Sequence, residues 1–287
     1  MDPYARLSLN TATTKRLTLA EAVQTTQRHG LSHIGLWRDR VAEVGLTQAA
    51  ELIRESGLTV TSLCRGGFLT AADPDGQQAA LADNRAAIVE AETLGTRELI
   101  MVVGGLPDGD KDLVAARERV AERIAELAPF AAEHGVRLVL EPLHPMYAAD
   151  RAVISTLGQA LDLAAPHPAS SVAVVVDTFH VWWDPDLADQ VARAGREGRI
   201  ASYQVCDFNL PIAADPLLSR GMMGDGVIDF PSIGRYVAAA GYTGPVEVEI
   251  FNADIWASDP AEVVATVKDR WATLVAPSLQ QTPALLA

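Results

Sequence analysis

The chain has 287 residues, and its 37 acidic side chains against 23 Lys and Arg give a formal charge of −14 at pH 7. A hydrophobic fraction of 49% with 21% charged residues excludes a disordered chain and suits a folded globular protein. The acidic balance and three scattered lysines, Lys15, Lys111 and Lys268, argue against binding nucleic acid or an anionic membrane, which needs clustered basic side chains.

One unit repeats along the chain: a short apolar or β-branched run, a polar turn, then an amphipathic stretch rich in Ala, Leu and Glu. A strand at residues 6–11 leads to a helix at 19–29 that stops at Gly30. A strand at 33–37 leads to a helix at 47–56 that stops at Gly57, and a strand at 59–64 to a helix at 75–94 before Gly95. Next come a strand at 98–103 with a helix at 111–134 before Gly135, and a strand at 136–141 with a helix at 155–165. The last three pairs are 172–177 with 185–194, 201–206 with 230–240, and 245–251 with 261–274. Wholly apolar runs such as Val172-Ala173-Val174-Val175-Val176 suit parallel strands covered on both faces, and glycine just past a helical run is a usual stop. Eight strands alternating with eight helices predict an α/β (β/α)8 TIM barrel. No composition shift divides the chain, so one domain is expected over residues 1–276, followed by a loosely docked tail at 277–287. The connection at 207–229 is longer than an ordinary loop and follows the seventh strand, so it reads as a lid or binding loop.

Two cysteines, Cys64 and Cys206, are too few for a disulfide framework or a Cys-rich zinc site and read as packing residues. The opening MDPYARLSLN does not resemble a leader. No apolar run reaches the ~18 residues of a membrane span. A cytoplasmic protein is expected.

Catalytic groups of this fold sit at the C-terminal ends of the strands. The eight ends carry Asn10-Thr11, Trp37-Arg38-Asp39, Cys64-Arg65-Gly66-Gly67, Gly104-Gly105, Glu141-Pro142-Leu143-His144, Asp177-Thr178-Phe179-His180, Gln204-Val205-Cys206-Asp207, and Glu247 with Glu249. Strands five to eight each supply an oxygen donor: Glu141, Asp177, Gln204 and Glu249. Three carboxylates at one mouth repel unless a cation joins them or some are protonated. An oxygen-rich set suits Mg²⁺ or Mn²⁺ better than zinc. Of six histidines, only His144 and His180 fall on this face, each three residues after a carboxylate. Arg65 reads either as an anion-binding group or, preferably, as the partner of a carboxylate.

The segments Glu141-Pro142-Leu143-His144, Val176-Asp177-Thr178-Phe179-His180, Arg220 with Gly224-Asp225-Gly226, and Gly241 to Glu249 resemble the xylose isomerase-like sugar phosphate isomerase/epimerase superfamily over nearly the whole chain. The resemblance implies Mn²⁺ (or Mg²⁺ or Co²⁺) held by Glu141, Asp177, Gln204 and Glu249, with Gln204 in place of the commoner His. It implies substrate contacts from His180 and Arg220, and proton exchange on opposite faces of a substrate carbon by Glu141 and Glu249. The substrate would be a small keto sugar, passing through an enediolate as an adjacent C–H proton leaves. Tyr147 stands where related free-ketose epimerases place a second substrate-contacting Glu.

A second resemblance is to the α subunits of C-glycoside deglycosidases, with His144 as the base and the Trp37-Arg38 and Cys64-Arg65-Gly66-Gly67 stretches lining the pocket. That reading implies a lyase acting on 3-keto glycosides with a small β-rich partner subunit; the isomerase reading leaves a homo-oligomer open. A retaining glycosidase is set aside because strand four ends in glycines rather than an acid. A barrel without catalytic activity is a third reading, since fold alone proves no activity.

Overall fold

The computed structural model describes residues 2–280. Eight parallel strands close into a barrel: Leu7–Asn10, His33–Trp37, Thr59–Gly67, Glu98–Val102, Arg137–Leu140, Val172–Asp177, Ile200–Val205 and Val246–Val248. They follow one another round the ring in chain order, and the eighth pairs with the first through Leu7 and Val246. The expected (β/α)8 barrel is the observed fold. The eight expected helices are present as Leu19–Arg28, Leu46–Ser56, Pro74–Thr93, Leu113–Glu133, Leu157–Ala164, Leu187–Arg196, Phe230–Ala239 and Pro260–Arg270. Their starts are set locally. Thr18 and Glu21 form a reciprocal capping box, and Asp73 accepts from the Gly76 N–H just ahead of Pro74.

The sixth strand shows why its apolar run is continuous. Val175 joins Cys64, Ile100 and Val139 in a small cluster inside the barrel, while Val172, Val174 and Val176 join the larger core beneath the helices. Both faces are covered, so neither needs polar side chains.

The structure departs from the expected elements in three places. The third strand runs on to Gly67, past its expected end at Cys64. Its register shifts between Cys64 and Gly66, and Gly67 takes φ 117°, where a side chain would strike the Val102 carbonyl. Short helices not foreseen follow strand ends at Arg38–Val44, Thr178–Val181 and Ala253–Ala257. The last helix passes through a π-helical stretch, Trp271–Val275, into Ala276–Leu279, where Ser278 is buried against Gly234. Residues 281–287 of the expected tail lie outside the described residues.

The long connection after the seventh strand folds back on itself. Asp207–Phe208 pairs antiparallel with Arg220–Gly221. The Asp207 carboxylate accepts the backbone N–H groups of Phe208, Gly224 and Ile228, and Asn252 donates to the Arg220 carbonyl at 2.8 Å. These bonds return the chain to the barrel mouth and deliver Arg220 into it, while Met222 and Met223 are buried beneath.

Candidate active site

The site is built in two layers. The lower layer centres on Glu247, which is 1% exposed. Its Oε1 accepts from Asn10 Nδ2 at 2.7 Å, Ser62 Oγ at 3.0 Å and Gln204 Nε2 at 3.2 Å. Its Oε2 accepts from Thr61 and from Ser62 at 2.9 Å. Consecutive Thr61 and Ser62 both reach inward because the third strand carries an extra residue there: Ile34 faces Val60, while Gly35 faces Ser62. Gly35 leaves the space, since a Cβ would lie 2.5 Å from the Glu247 carboxyl carbon. Burial pushes the Glu247 carboxyl up, and the hydrogen bonds from Thr61, Asn10 and Ser62 oppose that rise.

Gln204 links the two layers. A carboxylate only accepts hydrogen bonds, so the Gln204 amide must turn its NH2 toward Glu247. Its Oε1 then faces away from Glu247; it is buried and has no hydrogen-bond partner among the described residues. Gln204 is the register partner of Asp177 on the neighbouring strand.

The upper layer holds Glu141, Asp177, Glu249, His180 and Arg220, all buried. Glu249 Oε1 accepts from Trp37 Nε1 at 2.8 Å, and its Oε2 from Arg220 Nη1 at 3.0 Å. Asp177 Oδ1 accepts the Phe179 N–H at 2.8 Å, and its Oδ2 lies 3.2 Å from Arg220 Nη1. His180 Nε2 is 3.8 Å from Asp177 Oδ2 and 4.0 Å from Glu141 Oε1. The one guanidinium does not balance three carboxylates. Burial, with Asp177 and Glu249 nearby, holds the Glu141 carboxyl well above its ordinary range; burial lifts Asp177 to about 6 against the pull of Arg220. Burial also raises Glu249.

His180 is fixed by its neighbours. The backbone N–H of His144 donates to its Nδ1 at 3.1 Å, which leaves the proton of a neutral ring on Nε2. Burial and the Arg220 charge hold this imidazole well below its usual range, hence neutral. Arg220 Nη2 lies 3.0 Å from that same Nε2, so two N–H donors meet with no acceptor between them. An oxygen entering the cluster satisfies both.

Above this layer a cleft that opens to solvent is lined by Trp37, Arg65, Phe68, Tyr147, Arg151, Glu141, His180, Arg220 and Glu249, among others. Asp177 and Gln204 lie below its walls.

Six of the expected residues, Glu141, Glu249, His180, Arg220, Trp37 and Arg65, line the cleft. His144 does not. Its ring packs on Phe208 and Trp183, its Nδ1 accepts from the Met146 N–H, and only its backbone serves the site. Arg38 also lies elsewhere, paired with Asp83 and Glu90 on the helix Pro74–Thr93. The expected carboxylate partner of Arg65 is absent among the described residues; its guanidinium stacks on Phe68 at 4.1 Å. Cys64 and Cys206 are buried and burial raises both thiols; Cys64 also lines the cleft, its Sγ 3.7 Å from Glu249 Oε1. Two contributors were not foreseen, Glu247 as the anchor of Gln204 and Arg151 in the cleft wall; Tyr147, at the position where related epimerases place a substrate-contacting Glu, lines the same wall. For Glu247 the only sequence signal was its place two residues before Glu249.

Residues 20–272 match the family described as xylose isomerase-like TIM barrel. The crystal structure of protein SMc04130 from Sinorhizobium meliloti 1021 superposes with a TM-score of 0.91 at 49% identity, covering 94% of this chain and 98% of that one. That of an IOLI protein with a zinc atom bound superposes with a TM-score of 0.84 at 21% identity, covering 96% of this chain and all of that one (100%). An inosose isomerase of Halalkalibacterium halodurans is 23% identical over 147 residues, 51% of this chain and 50% of the isomerase, so the match spans half of that protein's length. Among the described residues no helix is long and apolar enough to cross a membrane.

Proposed function

The chain belongs to the xylose isomerase-like TIM barrel family, and from that premise we propose that it is a divalent-metal-dependent isomerase or epimerase of a keto sugar. The observation that carries this reading is the buried, unpartnered Oε1 of Gln204 beside three carboxylates that a single arginine leaves under-compensated. That donor set, all oxygen, fits Mn²⁺, Mg²⁺ or Co²⁺. Glu141, Asp177, Gln204 and Glu249 would hold the ion. When bound, it supplies positive charge that polarises a sugar carbonyl and acidifies the neighbouring C–H.

The remaining work falls to the protein's own side chains. His180 Nε2 and Arg220 Nη2 donate to a sugar oxygen from the point where they now face each other. Glu249, oriented by the Trp37 indole, takes the proton from the carbon beside the carbonyl, and the electron pair moves onto the carbonyl oxygen. Glu141 returns a proton to the opposite face of the same carbon as the carbonyl re-forms, which epimerises it; return to the adjacent carbon, with the hydroxyl proton passing to the former carbonyl oxygen, isomerises the sugar. Trp37 and Phe251, packed edge to face at 5.2 Å, wall the cleft against water. The lyase reading depended on His144 as a base in the pocket, and the packing of that ring on Phe208 and Trp183 leaves it without support.

The test joins a metal assay to an isotope assay. Treatment with EDTA should abolish C–H exchange of keto sugars in D₂O followed by NMR, and Mn²⁺ should restore it. Full exchange in a preparation free of metal defeats the proposal.

A further inference from the structure

The cleft carries two guanidinium groups that the steps above do not use. Arg65 lies two residues before the end of the third strand; its face lies on the Phe68 ring at 4.1 Å, and its nitrogens have no ion-pair partner among the described residues. Arg151 sits in the connection after the fifth strand, 5.6 Å from the Tyr147 ring. Its Nε reaches only the exposed Asp150, at 3.6 Å, and makes no hydrogen bond. The Tyr147 hydroxyl, on the same turn, is buried without a partner among the described residues.

The topology brings these groups together. The fourth strand lies between the third and the fifth and ends in Gly104-Gly105. With no side chain there, residues 149–152 fold over it: Gly104 bridges to Ala152, and a Cβ on Gly105 would strike the Ala149 and Asp150 backbone. Arg151 thereby enters the sector that Arg65 faces, and the two charges oppose each other: burial, and then Arg151, lower the Arg65 pKa. Stacking on an aromatic ring occupies the face of a guanidinium and leaves its N–H edge free, the edge that grips carboxylate or phosphate oxygens in pairs. In a protein of charge −14, two cations in one cleft without firm carboxylate partners form a recognition feature rather than a consequence of composition.

We propose that Arg65, Arg151 and the Tyr147 hydroxyl form a subsite for an anionic group on the substrate, so that the keto sugar carries a carboxylate or a phosphate. The inference rests on the keto-sugar reading above. Burial pushes Tyr147 up to about 12, so it remains a hydrogen-bond donor throughout the physiological range. The sugar then lies between two fixed ends: its carbonyl over the Glu141 and Glu249 carboxylates, its anion at the arginines.

The test is calorimetric titration of the full chain, supplied with Mn²⁺, with D-fructose, D-fructose 6-phosphate and D-fructuronate. A charged ketose should bind at least about tenfold more tightly than D-fructose. Arg65→Gln and Arg151→Gln should each remove most of that gap, with Arg65→Lys retaining more of it. Tyr147→Phe should weaken the charged ligand about threefold. Tighter binding of the phosphate or of the uronate says which anion is natural. Equal affinity for charged and neutral sugars, no binding of any of them, or a gap untouched by the arginine substitutions overturns the subsite. Tight binding of a charged ketose with no C–H exchange in D₂O overturns the isomerase reading instead and leaves the subsite standing.

Discussion

Glu247, in the eighth barrel strand, and Glu249, one residue past its end, are 1% and 3% exposed, yet their surroundings are opposite. Glu247 is surrounded by neutral donors, Asn10, Thr61, Ser62 and Gln204, which use both of its oxygens. Glu249 shares one arginine with Asp177, in a layer where Gln204 Oε1 and Arg220 Nε have no partner among the described residues. Burial alone therefore does not separate a carboxylate with satisfied surroundings from one whose surroundings are not. What separates them is whether the polar atoms around each are already satisfied.

Substitutions can break that distinction. Glu249→Gln should lower C–H exchange by about 10³-fold with an unchanged circular dichroism spectrum, because it removes a base and little packing. Glu247→Ala should cost about 3–5 kcal/mol in a urea titration, because it strands buried donors without an acceptor. Equal stability losses for alanine at 247 and 249 would erase the contrast. The milder Glu247→Gln no longer forces the Gln204 amide to one orientation. It should weaken Mn²⁺ binding about tenfold by calorimetry while leaving the melting temperature nearly unchanged.

Acidity sharpens the same contrast. Without an ion, the Asp177 carboxyl sits near 6, above its ordinary 3.8. A group raised in this way stabilises the folded state fully below about pH 4 and loses that contribution as pH climbs through 6. The melting temperature in EDTA should therefore fall between about pH 4 and about pH 7, and the gain from Mn²⁺ should widen over the same range. A gain from Mn²⁺ that shrinks with pH contradicts this account. The smallest effect is expected from His144→Ala, less than about tenfold on exchange and about 1 kcal/mol on stability. A loss as large as that of Glu249→Gln would return His144 to the chemistry.

The barrel and the four oxygen donors were readable because buried parallel strands are long apolar runs and because their last residues face the mouth. The two Glu/Asp-x-x-His spacings look alike in sequence and fold differently. Asp177 to His180 spans the short helix Thr178–Val181, which puts both side chains on one side, 3.8 Å apart. Glu141 to His144 passes through Pro142, and His144 adopts an extended conformation with ψ 139° ahead of Pro145, which turns its ring outward. The position of Tyr147 was legible, but Arg151 beside it was not, because its place depends on the chain crossing Gly104-Gly105, a tertiary packing event. The anchoring of Gln204 depends on a one-residue bulge, and no residue pattern announces it. The Arg38–Val44 helix was missed because Arg38-Asp39-Arg40 reads as a polar turn, and its ion pairs to Asp83 and Glu90 are long-range.

The saturated layer around Glu247 also acts as a plug. Glu141 and Glu249 line the cleft together with Leu217 and Arg220 of the long connection. Under the proposed reaction a bound sugar would cover both carboxylates from the open side. Solvent deuterium should then enter the epimer from Glu141, while recovered substrate, to which Glu249 returns the proton it took, should gain less.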